Sequence, residues 1–282
     1  MGAMLAVQLE AQRWDSDIRR FAAAENFPVA LRLLPQRRDL MAIYGFSRLA
    51  DELGDSYEGD RLAALDWLEA ELDRAYAGTA THPALQRLGH TVARHPLPRE
   101  PFVDLITANR IDQTVTSYAT FDDLVGYCRY SANPVGRLVL ELFDAATPER
   151  VALSDRVCTG LQLTEHWQDV GEDAAAGRVY LPQEDLERFG VPPADLTASH
   201  ASDALRTLLR FEVARAREWL NAGRPLVRDL QGAARVAVAG FVAGGLAALD
   251  AIAAADFDVL SRHARPRPWR VLNHAIRLVI RG

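Results

Sequence analysis

The sequence has few cysteines, no excess of basic residues and no long apolar run. Its two cysteines, Cys128 and Cys158, can supply neither a disulfide framework nor a four-cysteine zinc site. We therefore expect a reduced, cytoplasmic protein. The 282 residues include 32 Lys and Arg against 38 Asp and Glu, a net charge of −6, whereas nucleic-acid-binding domains are normally basic. No nucleic-acid partner is expected.

Membrane-spanning and secretory segments are also missing. The most apolar stretch, Val236 to Leu249, has fourteen residues and is rich in Ala and Gly. A membrane-spanning helix needs about 20 apolar residues, so we interpret this stretch as a buried core helix. The start of the chain lacks a basic segment followed by an apolar run, and no secretory signal is expected.

Strand signals are scarce, because no alternating pattern of Val, Ile and Thr flanks an Asn-Gly or Asp-Gly turn. Prolines instead separate long spans, such as 36–82 and 102–133, that are rich in residues of high helix propensity. Apolar residues recur within them at steps of three and four. We predict an all-α fold of about eight to eleven helices. A single domain covering 1–282 is expected.

The first of two acidic clusters places Tyr44, Arg48, Asp51 and Asp55 at steps of four, three and four. This spacing puts the four side chains on one stripe of a helix. Two carboxylates one turn apart repel each other unless a cation lies between them, and Mg²⁺ accepts one or two carboxylates together with phosphate oxygens. Arg48 is suited to the same phosphate. Alone, the cluster indicates either a metal-held phosphate site or a solvated acidic surface.

The second cluster places Glu165, Asp169 and Asp173 at i, i+4 and i+8, which again predicts one helical stripe. Three stacked carboxylates repel one another unless a cation offsets their charge. An arginine and a tyrosine follow, Arg178 and Tyr180, just as an arginine and a tyrosine accompany the first cluster. Two such clusters favour facing acidic helices that hold a diphosphate through Mg²⁺, which neutralises the leaving group.

A di-iron helical bundle also uses carboxylates on facing helices, but it requires Glu-x-x-His pairs. The seven histidines form no such pair. His166 directly follows Glu165 and therefore points about 100° away from it on a helix. A di-iron centre is not expected.

Both clusters lie in longer motifs, YGFSRLADELGD at 44–55 and QLTEHWQDVGED at 162–173, with GRVYLP following at 177–182. These motifs resemble the two aspartate-rich signatures of the squalene/phytoene synthases, and the resemblance covers about residues 25–270. It implies a class I isoprenoid synthase fold, a single all-α domain with a central cavity. Enzymes of this family join or rearrange prenyl diphosphates head to head.

The resemblance also implies roles for individual residues. The expected metal ligands, for roughly two or three Mg²⁺ ions, are Asp51, Asp55, Glu165, Asp169 and Asp173. Glu165 stands where the family usually has Asn, and it retains an oxygen donor. The expected catalytic residues are the four aspartates with Tyr44 and Tyr180. The expected substrate-binding residues are Phe27, Arg48, Asn133, Val135, Gly136, Gln162 and Arg178.

Three segments are most similar to the bacterial hydroxysqualene synthases of hopanoid biosynthesis: ENFPVA at 25–30, YCRYSANPVG at 127–136 and HWQD at 166–169. This subgroup ionises presqualene diphosphate, rearranges the cation and captures it with water, without NADPH. Gln168 stands where relatives that condense two diphosphates often carry Arg, which favours the substrate with one diphosphate. The alternatives are a condensing synthase that makes presqualene diphosphate or phytoene, and a non-catalytic squalene-synthase-like assembly factor.

The proposed chemistry needs an apolar cavity that holds one water. A retained water needs two to four polar partners, and the candidates are Asn133, Gln162 and Tyr180. The candidate wall residues are Phe27, Phe46, Tyr44, Val135, Val139, Leu163 and Phe241.

The C-terminal segment 262–282 has six arginines, no acidic residue and many apolar residues. This pattern is typical of a basic amphipathic helix on an anionic membrane surface, or of a last helix that covers the core while its arginines face water. Arg265 or Arg267 is an alternative contact of the diphosphate. We expect 1–15 and 265–282 to be peripheral, and membrane contact at the inner face or association with neighbouring squalene-pathway enzymes to be candidate interactions.

Overall fold

The computed structural model describes residues 34–261 and 264–281. Phe27 and segment 1–15 lie outside these ranges. Within them the chain forms thirteen α-helices and one 3₁₀-helix, Pro193–Thr197, without a β-strand. The helices are α1 (Arg37–Asp55), α2 (Arg61–Tyr76), α3 (Pro83–Arg94), α4 (Glu100–Ile111), α5 (Phe121–Ser131), α6 (Asn133–Leu142), α7 (Pro148–Gln168), α8 (Val170–Ala175), α9 (Gln183–Phe189), α10 (Asp203–Gly223), α11 (Pro225–Asp229), α12 (Gly232–Ala254) and α13 (Pro268–Arg281).

The all-α prediction is confirmed for the described chain, but the predicted number of helices is too small. Three of the thirteen helices have only five to seven residues: α8, α9 and α11. Such short helices give no 3.6-residue apolar period that sequence inspection can detect.

Local sequence signals explain where several helices begin. Thr120 and Asp123 form a capping box at the start of α5. Thr147 accepts a hydrogen bond from the amide of Arg150 at the start of α7, and Pro148 follows as its first residue. Ser202 caps α10 in the same way. These caps satisfy amide groups that a helix leaves unpaired at its first turn.

Two apolar clusters form the core. The first contains buried side chains of α1 to α4 with part of α6, among them Phe46 and Phe102, whose rings meet edge to face. The second joins α5, α7, α10 and α12 and includes Trp167 and Leu220. Helices α7 and α10 pack along each other, and α6 lies against α7. The space between the two clusters is where the cavity described below opens.

Helix α12 contains the Ala- and Gly-rich stretch that the sequence assigns to the core. It is long and apolar enough to cross a membrane by composition alone, yet 72% of its most apolar window is buried. It packs against α7, α10 and α13. The prediction of a buried core helix is therefore confirmed.

Candidate active site

Helix α1 carries the whole first acidic cluster, as predicted from the spacing. Tyr44, Arg48, Asp51 and Asp55 all lie on it, and Asp55 is its last residue. Nη2 of Arg48 donates to Oε1 of Glu52 at 2.5 Å, and the Glu52 carboxylate is buried. The guanidinium is therefore oriented by a carboxylate that the sequence analysis did not single out.

Asn109 of α4 approaches the first cluster over Gly54 of α1, where no side chain stands in its way. Its Nδ2 donates to Oδ1 of Asp51 at 3.3 Å and to the carbonyl of Leu105 at 3.1 Å. A Cβ on Gly54 would lie 2.2 Å from Oδ1 of Asn109, so only glycine leaves room for this approach. Nε2 of Gln113 also donates to the Gly54 carbonyl at 3.0 Å. Helix α4 and the residues directly after it thus hold the end of α1 in place.

The second acidic cluster does not lie on one continuous helix. Helix α7 ends at Gln168, the chain bends at Asp169, and α8 begins at Val170. The amide of Asp169 nevertheless bonds the carbonyl of Glu165 at 3.0 Å, and the amide of Asp173 bonds that of Asp169 at 2.8 Å. Helical spacing of the three carboxylates is therefore retained across the bend.

Arg178 joins the two clusters. Its amide bonds the carbonyl of Asp173 at 2.8 Å, and its Nη2 donates to Oδ1 of Asp55 at 2.5 Å. The next residue, Val179, donates its amide to the carbonyl of Thr116 at 2.8 Å. The turn after α8 is thereby clamped across the end of α1, and a guanidinium is set between carboxylates of both motifs.

Negative charge accumulates at this junction. Burial, and then the charge of Asp169, raise the pKa of Asp173 to about 7, although the charge of Arg178 opposes the shift. Asp55 and Glu172 raise it further. A raised carboxyl pKa means that the anionic form is short of compensating charge. A cation bound here would supply it.

The donor set fits Mg²⁺ shared with a substrate, but not a metal enclosed by protein ligands. Within 34–261 and 264–281, no three His, Cys, Asp or Glu side chains converge on one metal-sized point. Mg²⁺ does not require that, because it is usually held by one or two carboxylates, waters and phosphate oxygens. Asp51, Asp55, Glu165, Asp169 and Asp173 are the residues that would hold it.

A buried group of tyrosines surrounds Asp112, directly after α4. Oη of Tyr127 donates to Oδ2 of Asp112 at 2.6 Å, and Oη of Tyr180 donates to Oδ1 at 3.4 Å. Burial raises the pKa of Asp112 to about 6, although the Tyr127 hydrogen bond and the Arg178 charge act to lower it. The Tyr118 ring stacks on Tyr180 with centroids 6.0 Å apart.

The His166 ring also stacks on Tyr180, with ring centroids 3.7 Å apart and an angle of 14° between the planes. Burial, and then the charge of Arg178, lower the pKa of His166 to about 3, so the ring is neutral. Its Nε2 lies 3.2 Å from Nε2 of Gln162. His166 therefore positions Gln162 and Tyr180.

A cavity of about 180 Å³, partly open to solvent, lies beside Asp51 and Glu165 of the two acidic clusters and continues between the two core clusters. Tyr44, Asp51, Gln162 and Glu165 line its polar part. The other lining residues are Leu40, Ile43, Ser47, Leu105, Ser131, Ala132, Val135, Val139, Cys158, Leu161 and Phe241. A polar end with carboxylates and an apolar remainder suit an amphiphile with an anionic head and a hydrocarbon tail.

Several predicted residues lie elsewhere. Oδ1 of buried Asn133 accepts a hydrogen bond from Thr159 at 3.1 Å, and Asn133 is not part of the cavity lining. Gly136 lies where α6 meets α7, and a Cβ there would be 2.4 Å from Oγ of Ser154. Phe46 and Leu163 pack in the core instead of lining the cavity. Gln168 is buried, and it donates to the carbonyl of Ala264 at 2.6 Å, away from the cavity lining.

The residues that hold the predicted ones in place were not predicted from the sequence. Asn109 lies on the last turn of α4, and Asp112 and Gln113 follow directly after the helix, so polar residues at i, i+3 and i+4 were a detectable signal. Ser131 gives no such signal. Its Oγ is buried in the cavity wall and has no hydrogen-bond partner among the described residues.

Comparisons with known proteins identify the family of this chain. The squalene/phytoene synthase family model matches residues 22–270. A hydroxysqualene synthase of Rhodopseudomonas palustris is 39% identical over 213 residues, 73% of this chain and 72% of the relative. A 15-cis-phytoene synthase of Synechococcus elongatus is 33% identical over 266 residues, 88% of this chain and 86% of the relative.

Among solved structures, the squalene synthase HpnC of Alicyclobacillus acidocaldarius superposes with a TM-score of 0.76 at 42% identity. The match covers 90% of this chain and 98% of that one. The predicted isoprenoid synthase fold is thereby confirmed. On its sequence and its fold together, the chain belongs to the squalene/phytoene synthase family.

Proposed function

We propose that this chain is a hydroxysqualene synthase, which converts presqualene diphosphate and water into hydroxysqualene and diphosphate. The observation that carries the proposal is the cavity, whose lining combines one carboxylate of each acidic cluster, Asp51 and Glu165, with a mostly apolar wall. The diphosphate would occupy the polar end, and the two isoprenoid tails would lie along the apolar wall. Bound Mg²⁺ would neutralise the charge that develops on the departing diphosphate.

One of the protein's own groups, Arg178, would assist departure of the diphosphate. The Arg178 guanidinium is set at the junction of both clusters and can donate hydrogen bonds to diphosphate oxygens as charge grows on them. Tyr44 and Gln162 line the cavity together with Asp51 and Glu165. Among the described residues, the remaining lining side chains include no basic group that would react early with the carbocation.

Capture of the carbocation by water requires a polar group in this apolar wall, and Ser131 is the candidate. Ser131 is among the residues that line the cavity, and its Oγ is buried without a partner in the described chain, whereas a buried hydroxyl normally has one. Gln162 lines the same cavity. We propose that Ser131 and Gln162 hold the water that captures the cation, in place of the predicted Asn133 and Tyr180, which bond Thr159 and Asp112.

A condensing synthase remains the second candidate, because the 15-cis-phytoene synthase of Synechococcus elongatus matches more of the chain than the hydroxysqualene synthase does. Gln168 does not distinguish a hydroxysqualene synthase from a condensing synthase, since its side chain bonds the carbonyl of Ala264 and does not line the cavity. The higher identity to the hydroxysqualene synthase, 39% against 33%, supports the first candidate.

Product analysis tests the proposal. Purified protein is incubated with Mg²⁺ and presqualene diphosphate, without NADPH, and the products are identified by mass spectrometry. We expect a C30 alcohol, which Asp51→Ala and Asp169→Ala should abolish. Consumption of farnesyl diphosphate with presqualene diphosphate left untouched would establish a condensing synthase instead. A chain that uses neither substrate, and whose Tm does not rise with Mg²⁺ and diphosphate together, would be a non-catalytic relative.

The water site is tested with Ser131→Ala and the conservative Ser131→Thr. Loss of the hydroxyl should shift the product from the alcohol to dehydrated C30 hydrocarbons, whereas Thr should retain the alcohol. An unchanged alcohol fraction in Ser131→Ala would exclude Ser131 from this role.

A further inference from the structure

Helix α13 turns a row of large apolar side chains away from the protein. Trp269, Leu272 and Ile280 are 56%, 62% and 75% exposed, and Ile276 and Val279 are exposed beside them. These five residues recur at steps of three, four, three and one, which places them within one stripe of the helix. Exposed apolar rows of this length on a polar protein mark interaction sites.

The opposite side of α13 is attached to α12, so the orientation of the exposed row is determined. Leu278 is buried in the core cluster. Nε2 of His274 lies 2.9 Å from Oδ2 of Asp250, and Nη1 of Arg270 lies 3.6 Å from the same oxygen. At the far end, Nη2 of Arg235 donates to the carbonyl of Val279 at 2.7 Å. The apolar row cannot rotate inward without breaking these contacts.

The charge around this row is positive on a protein that is acidic overall. Segment 262–282 contains six arginines and no Asp or Glu, whereas the whole chain has a net charge of −6. The side chains of Arg265, Arg267 and Arg277 are exposed. An apolar stripe with basic residues beside it is the pattern of a helix that lies in the headgroup region of an anionic bilayer.

We propose that α13 docks the protein on an anionic membrane surface, with the row Trp269, Leu272, Ile276, Val279 and Ile280 inserted below the headgroups. The arginines would face lipid phosphates. A second copy of the chain is a poorer occupant, because a two-fold contact through this face would bring two arginine-rich segments together. The proposal concerns the surface of α13 alone and does not depend on which prenyl diphosphate the cavity binds.

Vesicle flotation without substrate tests the proposal. The full-length protein is mixed with vesicles of phosphatidylglycerol and phosphatidylcholine, or of phosphatidylcholine alone, at about 0.1 M and about 0.5 M salt. We expect binding only to the anionic vesicles, weakened at the higher salt. Leu272→Glu should lower the partition coefficient about tenfold or more, because it removes one inserted side chain and adds a repelled charge.

Leu62→Glu is the matched control, since Leu62 is 48% exposed on α2 and the same substitution there should leave binding unchanged. Equal binding of native protein and Leu272→Glu would overturn the proposal. So would absence of binding to anionic vesicles. In that case, a native dimer that Leu272→Glu converts to a monomer in light scattering would assign the face to a second copy. If the native protein is instead a monomer, the apolar row of α13 would be assigned to contact with residues outside the described ranges.

Discussion

Nη2 of Arg178 lies 2.5 Å from Oδ1 of Asp55, although 123 residues separate the two in the chain. Asp55 ends α1, and Arg178 follows the turn after α8. The contact links the two acidic motifs directly through protein atoms. The arginines that accompany the two motifs have different partners. Arg48 bonds Glu52 within α1, whereas Arg178 bonds Asp55 of the other motif.

Replacing Arg178 with Gln should lower kcat/KM about a hundredfold, because the junction loses the guanidinium that would stabilise charge on the departing diphosphate. The measurement is steady-state kinetics on presqualene diphosphate. Arg129→Gln, at an exposed position on α5, is the control and should retain native activity. Similar kcat/KM values for both variants would contradict a role for Arg178.

Gly54→Ala should destabilise the protein by about 1–3 kcal/mol, because its Cβ would lie 2.2 Å from Oδ1 of Asn109 and force the amide away from Asp51. The free energy of unfolding in urea measures this. Gly126→Ala on α5 makes the same change where no atom lies within 4 Å, and its stability should be unchanged or higher. If Gly54→Ala and Gly126→Ala change the free energy of unfolding equally, the close contact between Gly54 and Asn109 does not determine stability.

Asp112→Leu should lower kcat about tenfold or more, because the hydroxyls of Tyr127 and Tyr180 lose their common acceptor. Asp112→Asn keeps an acceptor oxygen and should retain most of the activity. The two variants are compared by kcat and by Tm. If Asn is as damaging as Leu, the negative charge of Asp112 matters more than its position.

Stability should fall as the pH rises from about 4.5 to about 8, because of Glu212. Nη1 of Arg215 lies 2.9 Å from Oδ2 of Asp185 and 3.2 Å from Oε1 of Glu212, so one cation serves two buried carboxylates. Burial raises the pKa of Glu212 to about 8, against the opposing charge of Arg215. A group with a raised folded-state pKa stabilises fully below its unfolded pKa, and this contribution is lost as the pH rises through the folded value.

Glu212→Gln keeps the neutral form at every pH, so its Tm relative to the native protein should rise between pH 5 and pH 8.5, by an amount equivalent to about 1 kcal/mol or more. Exposed Glu218 lies on the same helix, and Glu218→Gln should show no such trend. Parallel Tm curves for native protein and Glu212→Gln would refute the assignment.

Local patterns were enough to predict much of the site. The spacing of Tyr44, Arg48, Asp51 and Asp55 placed them on one helix, where they lie. The bend at Asp169 was not predictable, because the i, i+4, i+8 pattern is the same with or without it, and the backbone bonds that carry the pattern persist through the bend. The predicted number of helices was too small for a similar reason. Helices of one or two turns are too short to show a repeating apolar pattern.

The sequence by itself determined the helical class, the buried α12 and the two carboxylate clusters, because helix propensity, apolar period and residue spacing act over a few neighbouring positions. Only the tertiary structure decided that Asn109 supports Asp51, that Asp112 gathers two tyrosines, and that Ser131 lines the cavity while Asn133 does not. Those relations join segments that are separated along the chain. They depend on how the helices pack, which no local pattern records.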